Sequence, residues 1–365
     1  MKKLFILWSV TLLCMIGAAA KAERIMVISD LHLTADTSAF AETADAIKQA
    51  AATADTLILL GDNTNNSHTE EHAAVLELAH EITGSSGTAV LIIPGNHDYT
   101  PGYSPAEFLA QYEDFGPRPA FSRDKNTAGC AVMTAGGTCL LLLDTNCYDE
   151  ARRILPDGGI GDETIAWAEQ ILAALPENTP VIACGHHPIL PADRDQRTSG
   201  AAALADLLHA HGVLLYLCGH DHGFATLQAD GLRQITVGQP HAYPGWAGVI
   251  EVLGHGFDWH TEQIYDPASS FMAALRKTAE NLGEQMARGT LASTAYADDS
   301  GAVRWFVTAF MHHAEGTLTP DICARLLEDP ACAKWREIET RTVVRDWMIG
   351  MLANCPESVL RISIR

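Results

Sequence analysis

Residues 90–100 read VLIIPGNHDYT. An apolar run, Val90 to Ile93, ends at Pro94 and Gly95, and Asn96, His97 and Asp98 follow with no spacing. Pro, Gly, Asn and Asp are turn formers, so a plain corner is one reading. A metal or catalytic site is the other. The rest of the chain repeats the arrangement. Apolar runs recur as RIMVIS (24–29), TLILL (56–60), TCLLLLD (138–144), PVIACG (180–185), VLLYLCG (213–219) and RQITVG (233–238). Most are continuous rather than alternating, which suits strands covered on both faces. Amphipathic stretches lie between them: 41–53, 70–82, 163–175 and 200–211. The alternation predicts an α/β fold, layered sheets flanked by helices. Residues 224–238 and 246–264 read as antiparallel strands with glycine-containing turns.

After residue 265 the pattern changes. Phe271, Leu275, Leu282 and Met286 fall at helical spacing, as do Val344, Trp347, Met348, Met351 and Leu352. These positions read as helical core rather than a ligand box. The expected organisation is a leader at 1–22, a catalytic domain at 23–265 and a helical C-terminal domain at 266–365. The leader has a basic start (MKK), an apolar stretch too short for a convincing membrane span, and small residues before the first strand. It predicts export to an extracytoplasmic location: periplasm, envelope or medium. Contact with a membrane would come only through an uncleaved leader. Cys14 lies in that segment. Cys323 and Cys332 either bridge in an oxidising compartment or pack as two small thiols. Cys184 and Cys218, each two residues before a histidine cluster, read as packing residues.

The chain has 365 residues, enough for two domains. Its 24 lysines and arginines against 45 acidic residues give a formal charge of −21. Such a surface repels an extended nucleic acid, yet permits a small anion at a local cationic centre.

Five polar clusters follow apolar strands: Asp30 with His32; Asp62; Asn96, His97 and Asp98; His186 with His187; and His220 with His222. In open α/β sheets ligands bind beyond the carboxyl ends of strands, so all five are expected on one rim. In Asp30-Leu31-His32 and His220-Asp221-His222 an extended backbone would point alternate residues the same way. Glycines at 61, 95, 185 and 219 precede the polar residues and allow close approach. Carboxylate plus imidazole suits Mn, Fe or Zn better than Ca. With Cys184 and Cys218 read as packing residues, no thiolate ligand remains, which argues against a closed structural zinc site. His187 reads equally as a substrate contact or a supporting residue. His68 and His72 read as surface residues of a helix start, Asn63, Asn65 and Asn66 either as lining the cleft or as a loop capped by amides, and His241 as a border residue.

The ordered set D-x-H, G-D, G-N-H-D, H and G-H-x-H, over residues 30–222, resembles the calcineurin-like metallophosphoesterases. GDNTNNSH (61–68), PGNHDYTPG (94–102) and GGIGDETIAWAEQIL (158–172) look more like the class III cyclic-nucleotide phosphodiesterase branch with a helical C-terminal domain. The resemblance implies a layered β-sandwich flanked by helices and a binuclear centre of two divalent or trivalent transition-metal ions. Asp30, His32 and His222 would hold one ion, Asn96, His186 and His220 the other, and Asp62 would bridge. His97 would face the substrate phosphate and Asp98 would orient or support it. The implied activity is hydrolysis of a small phosphoester, a diester first and a cyclic nucleotide by likeness. The alternatives are a phosphomonoesterase of the same fold and a catalytically silent metal-bound envelope protein. A homodimer is compatible with the chain.

Overall fold

The structure, a computed structural model, describes residues 22–99, 103–149, 153–190, 198–254, 256–338, 342–355 and 357–365. Residues 1–21 of the expected leader lie outside the described residues. No helix among the described residues is long and apolar enough to cross a membrane.

The strands are β1 (Glu23–Ile28), β2 (Thr56–Leu60), β3 (Ala89–Ile93), β4 (Ser122–Arg123), β5 (Cys130–Met133), β6 (Cys139–Leu142), β7 (Val181–Cys184), β8 (Leu215–Cys218), β9 (Ala225–Ala229), β10 (Leu232–Thr236), β11 (Trp246–Leu253), β12 (Gly256–Gln263) and β13 (Arg361–Ile364). They form two sheets, ordered β13-β12-β11-β1-β2-β3 and β4-β5-β6-β7-β8-β10-β9. The helices are α1 (Ala41–Ala51), α2 (Thr69–Ser86), α3 (Pro105–Gln111), α4 (Asp162–Ala174), α5 (Ala201–Ala210), α6 (Ser270–Leu291), α7 (Ser300–Ala314), α8 (Pro320–Glu328), α9 (Pro330–Arg336) and α10 (Val343–Asn354).

The continuous apolar runs are explained by burial on both faces. Ile25 and Val27 of β1, Ile58 and Leu60 of β2, and Leu91 and Ile93 of β3 pack against Leu140, Leu142, Ile182 and Leu215 of the second sheet. Their neighbours Met26, Ile28, Leu57, Leu59, Val90 and Ile92 pack under α1, α2 and α3 through Ile47, Val75, Leu78 and Phe108. Leu141, Ala183 and Tyr216 face α4 and α5 through Ala168, Ile171, Leu204 and Leu208. The molecule is thus a mixed α/β protein with two sheets packed face to face and flanked by helices. Cys184 lies in the inter-sheet core and Cys218 beneath the second helical layer, both fully buried.

The parallel pairs β1–β2–β3 and β7–β8 all deliver their C-terminal ends to one rim. The antiparallel readings at 224–238 and 246–264 correspond to β9–β10 and β11–β12. β10 also pairs in parallel with β8, which extends the second sheet past the hairpin.

Helices α6 to α10 share their own core of Leu291, Phe306, Trp335, Met348 and Leu352. The chain then returns to the sandwich: β13 pairs with β12, and the Trp259 indole N–H donates to the Val359 carbonyl at 2.8 Å. Leu275 packs against the sandwich core, but Leu282 and Trp347 do not reach a core. Leu282 and Trp347 are 49% and 37% exposed. Cys323 and Cys332 are both free thiols, and Cys323 hydrogen-bonds to Cys355 rather than bridging to Cys332.

Candidate metal centre

The loops beyond β1 and β2 are laced together by their backbones. Asp30 N–H donates to the Gly61 carbonyl at 3.0 Å, and His32 N–H to the Asp62 carbonyl at 2.9 Å. This pairing does not leave the chain extended. Asp30, His32, Asp62, His220 and His222 have φ of 56°, 44°, 49°, 70° and 58°. Among the described residues only nine non-glycine residues have positive φ, and these five are among them. The left-handed region is costly for side-chain-bearing residues, and Asp, Asn and His adopt it more readily than others. Such conformations persist where the surroundings enforce them, typically at sites. The expectation of an extended D-x-H and H-x-H is therefore corrected: left-handed turns, not strand alternation, aim these side chains together.

Two glycines make the approach feasible. A Cβ on Gly95 would lie 2.3 Å from Asp62 Oδ1, and one on Gly219 would lie 2.6 Å from Asp30 Oδ2. Any side chain there would displace a carboxylate of the rim.

Two groups of donors result. Asp30, His32, Asp62 and His222 bring one ligand atom each within 4.8 Å of one another, and so do His186, His187 and His220. In the first, His32 Nε2 lies 3.1 Å from His222 Nε2 and 3.7 Å from Asp62 Oδ2, and His222 Nε2 lies 3.5 Å from Asp30 Oδ1. In the second, His186 Nε2 lies 3.3 Å from the same Asp62 Oδ2. Asp62 thus touches both groups.

His186 Nδ1 is 2.9 Å from the Leu60 carbonyl. Donation there fixes the tautomer and leaves the Nε2 lone pair for a cation. Gln239 braces His222 from the other side: its side-chain Nε2 lies 2.9 Å from the ring Nδ1 and holds the plane of the imidazole. His187 is different. Its Nδ1 meets Thr145 Oγ1 at 2.8 Å and its Nε2 meets the Pro156 carbonyl at 3.0 Å. With both ring nitrogens engaged, His187 supports the second group and is not a ligand. The third member that the sequence resemblance implies is Asn96, whose Oδ1 is buried without a hydrogen-bond partner. A buried amide oxygen left without a partner is expensive unless a cation is the intended partner. The residues present fit a pair of metal ions.

The electrostatics agree. Burial pushes the His32 imidazole down to about 4, so it stays neutral, as a ligand must. Burial raises the Asp30 carboxyl to about 7. Burial also opposes charge on His186, but the Asp62 carboxylate outweighs it and lifts the ring to about 10. The same contact overcomes the burial penalty on Asp62 and holds its carboxyl well below the usual range. A proton on His186 supplies positive charge that the two carboxylates demand, and a cation supplies it better.

His97 stands beside this centre. Its backbone N–H donates to Asp62 Oδ1 at 2.8 Å, its ring centroid is 4.7 Å from that of His32, and its Nδ1 is 2.7 Å from the Asn65 carbonyl. The expectation that Asp98 orients the His97 ring is corrected by these contacts. Asp98 is fully buried and accepts from Gly95 N at 2.9 Å, Asn63 N at 3.2 Å, Asn63 Nδ2 at 2.9 Å, Thr64 N at 2.8 Å and Thr64 Oγ1 at 3.0 Å. It clamps the β2 loop to the β3 loop and so acts on His97 only through the backbone. Burial pushes the Asp98 carboxyl up to about 6, with the Asp62 charge adding and the donors opposing.

Sequence reading missed Gln239 and Thr145, which carry no motif, and although it named Asn65 as a candidate cleft residue, the contact is made by its backbone carbonyl, which any residue could supply. It also misplaced His72. That residue is fully buried in α2, bonded to Tyr112 Oη at 2.7 Å and Ser67 Oγ at 2.9 Å. His68, by contrast, is exposed at the start of α2.

The model of the calcineurin-like phosphoesterase family matches residues 23–224. The chain is 27% identical over 188 residues to the glycerophosphodiester phosphodiesterase GpdQ of Enterobacter lignolyticus, covering 50% of this chain and 60% of that protein. It is 38% identical over 75 residues to tartrate-resistant acid phosphatase type 5 of Rattus norvegicus, covering 20% and 23%. These matches span less than two thirds of either relative. A dimetal phosphatase from Danio rerio aligns with a TM-score of 0.51 at 14% identity, over 67% of this chain and 98% of that one, a likeness of fold alone. The family match takes in more than half of the chain and all five polar clusters, and on that ground the chain belongs to the calcineurin-like phosphoesterase family.

Proposed function

We propose that this phosphoesterase hydrolyses small phosphodiesters with two transition-metal ions of the Mn, Fe or Zn class. The observation that carries the reading is Asp62 Oδ2, which lies 3.3 Å from His186 Nε2 and 3.7 Å from His32 Nε2, one oxygen between two donor groups. Asp30, His32 and His222 would hold one ion, Asn96, His186 and His220 the other, and Asp62 both. Such a pair, when bound, lowers the pKa of a coordinated water and neutralises phosphate oxygens, which admits an anionic ester to an acidic protein. His97 keeps its Nδ1 on the Asn65 carbonyl and has Nε2 for the substrate. As an imidazolium it would donate from Nε2 to the departing alkoxide, help typically worth about 10²–10⁴-fold. Asp98 holds the two loops that present Asp62 and His97.

A diester is favoured because the longer curated match is to a protein named as a phosphodiesterase. Cyclic nucleotides are the first natural class to try, by the resemblance of residues 61–68 and 94–102. The match to an acid phosphatase favours the second reading, a phosphomonoesterase. The complete donor set speaks against a catalytically silent binding protein. Residues 1–22 support an extracytoplasmic location.

Metal analysis combined with rates on 4-nitrophenyl phosphate and bis(4-nitrophenyl) phosphate tests this. We expect two metal ions per chain and faster turnover of the diester. A strong preference for the monoester overturns the diester reading, and metal-loaded protein that cleaves nothing in a broad phosphoester panel supports the silent one.

A further inference from the structure

A cavity of about 520 Å³ begins at His222 and runs between the loop after β10 and the helices α6, α7 and α10. Its size is that of a ligand site. It is continuous with the candidate metal centre, because His222 and the Gln239 that holds it are both in its wall. The wall is rich in rings: Phe224, His241, Tyr243, Phe310, His313 and Trp347. Leu275 and Leu282 complete it from α6. Among the described lining residues there is no lysine or arginine, and Asp221 is the one carboxylate.

Three features set this wall apart from ordinary surface. Leu282 and Trp347 are large apolar side chains left 49% and 37% exposed, both facing one cavity. His241 Nδ1 is buried with no hydrogen-bond partner. The rings are held in place: His313 and Trp347 meet edge to face at 5.4 Å, and the Tyr243 hydroxyl is fixed by Glu315 at 2.8 Å and Arg276 at 2.6 Å. An anchored aromatic wall with one free polar atom, opening onto a phosphate-binding centre, matches an ester whose alcohol is flat and apolar with a polar edge. An anionic alcohol portion, such as one bearing a second phosphate, finds no lysine or arginine among the described lining residues to neutralise it.

We propose that this cavity receives the uncharged aromatic alcohol portion of the phosphoester, with its ring among Leu275, Leu282, Phe310 and Trp347 and its polar edge at His241, so that the C-terminal helices set substrate selectivity. The proposal deepens the hydrolytic reading and rests on it.

The test uses the full-length chain and two variants, Ala279→Trp, which fills the cavity from α6, and Trp347→Ala, which removes one wall. Circular dichroism and thermal melting confirm that each is folded. The first readout is the ratio of kcat/KM for methyl phenyl phosphate to that for methyl ethyl phosphate, followed by phosphorus NMR on Mn²⁺-loaded protein. Intrinsic leaving-group differences cancel when this ratio is compared between proteins. The second readout is calorimetric binding of 1-naphthol to the metal-free protein. We expect the ratio to fall about ten-fold or more in Ala279→Trp, and less in Trp347→Ala, with loss of naphthol binding in the first. An unchanged ratio with unchanged naphthol binding in both folded variants overturns the proposal. So does failure of naphthol to bind the wild type while Leu282→Asp converts a dimer to a monomer in sedimentation, since the face is then a contact between copies. If neither ester is cleaved but naphthol binds the wild type and not Ala279→Trp, the cavity is supported and the hydrolytic reading falls.

Discussion

The two donor groups of the rim use the same chemistry, carboxylate and imidazole, in opposite settings. His186 is fully buried and bonded to the Leu60 carbonyl. His222 has a side chain 47% exposed and rests on the Gln239 amide. The buried group is organised by backbone and needs little ordering when an ion arrives. The exposed group is organised by side chains and meets solvent. Burial also strengthens the coupling between Asp62 and its partner there, because charges interact more strongly where water is excluded. The lesson is a division of work within one centre. The buried half is therefore expected to hold an ion more tightly, and the open half to be where an ion exchanges and substrate enters.

Asp62 is the point at which this comparison can be broken outright. Asp62→Ala removes the oxygen that both halves share and also the acceptor for the His97 backbone N–H. Both ions should be lost from the purified protein by elemental analysis, and phosphoester turnover should fall by about 10³-fold or more. Retention of one tightly held ion would show that the halves are independent and that the shared-oxygen reading is wrong.

Neighbours in sequence separate next. Asn96→Ala should lower metal content by one ion per chain, because its buried Oδ1 has no hydrogen-bond partner and is assigned above as a ligand of the buried half. His97→Ala should keep both ions and lower kcat by about 10²–10³-fold, since its ring is held by Asn65 and not by an ion. Metal analysis and steady-state kinetics on the two proteins decide it. The reverse pattern would exchange their roles.

These assignments show what was legible in the sequence. Continuous runs such as LIL in β2 announced strands covered twice, because each residue, whichever way it points, meets an apolar neighbour. The five clusters announced the rim, because parallel strands deliver their ends to one side. How the side chains converge was not legible. Left-handed φ at Asp30, His32 and His222 is imposed by loop-to-loop backbone hydrogen bonds that exist only after folding. Nor was the partner of His97, a carbonyl from a loop 32 residues away. In the C-terminal region helical spacing announced helices, but spacing alone treats every apolar face as core. Only the assembled structure shows that Leu275, Leu282 and Trp347 line a cavity.

Asp98 tests whether loop position or local charge supports His97. Asp98→Asn keeps the shape but turns an N–H₂ toward donors that now meet a carboxylate oxygen. A buried donor left unsatisfied costs about 1–3 kcal/mol, so the melting temperature should fall. The loops should loosen, and kcat should drop by about 10–100-fold, the range seen when a ligand's supporting residue is lost. If kcat falls with no loss of stability, Asp98 acts on the reaction directly and the clamp assignment is wrong.

The smallest effect belongs to the open half. Gln239→Ala leaves His222 without the partner that holds its ring plane. Because His222 is exposed, water replaces the lost contact and the fold is spared. Affinity for one ion should fall about ten-fold, at the low end for a supporting residue. The other ion should be unaffected. In a chelator titration the variant should therefore release its first ion at lower chelator concentration and its second at the wild-type concentration. Equal weakening of both ions would mean that the halves titrate as one unit, with Asp62 coupling them so strongly that burial no longer distinguishes them.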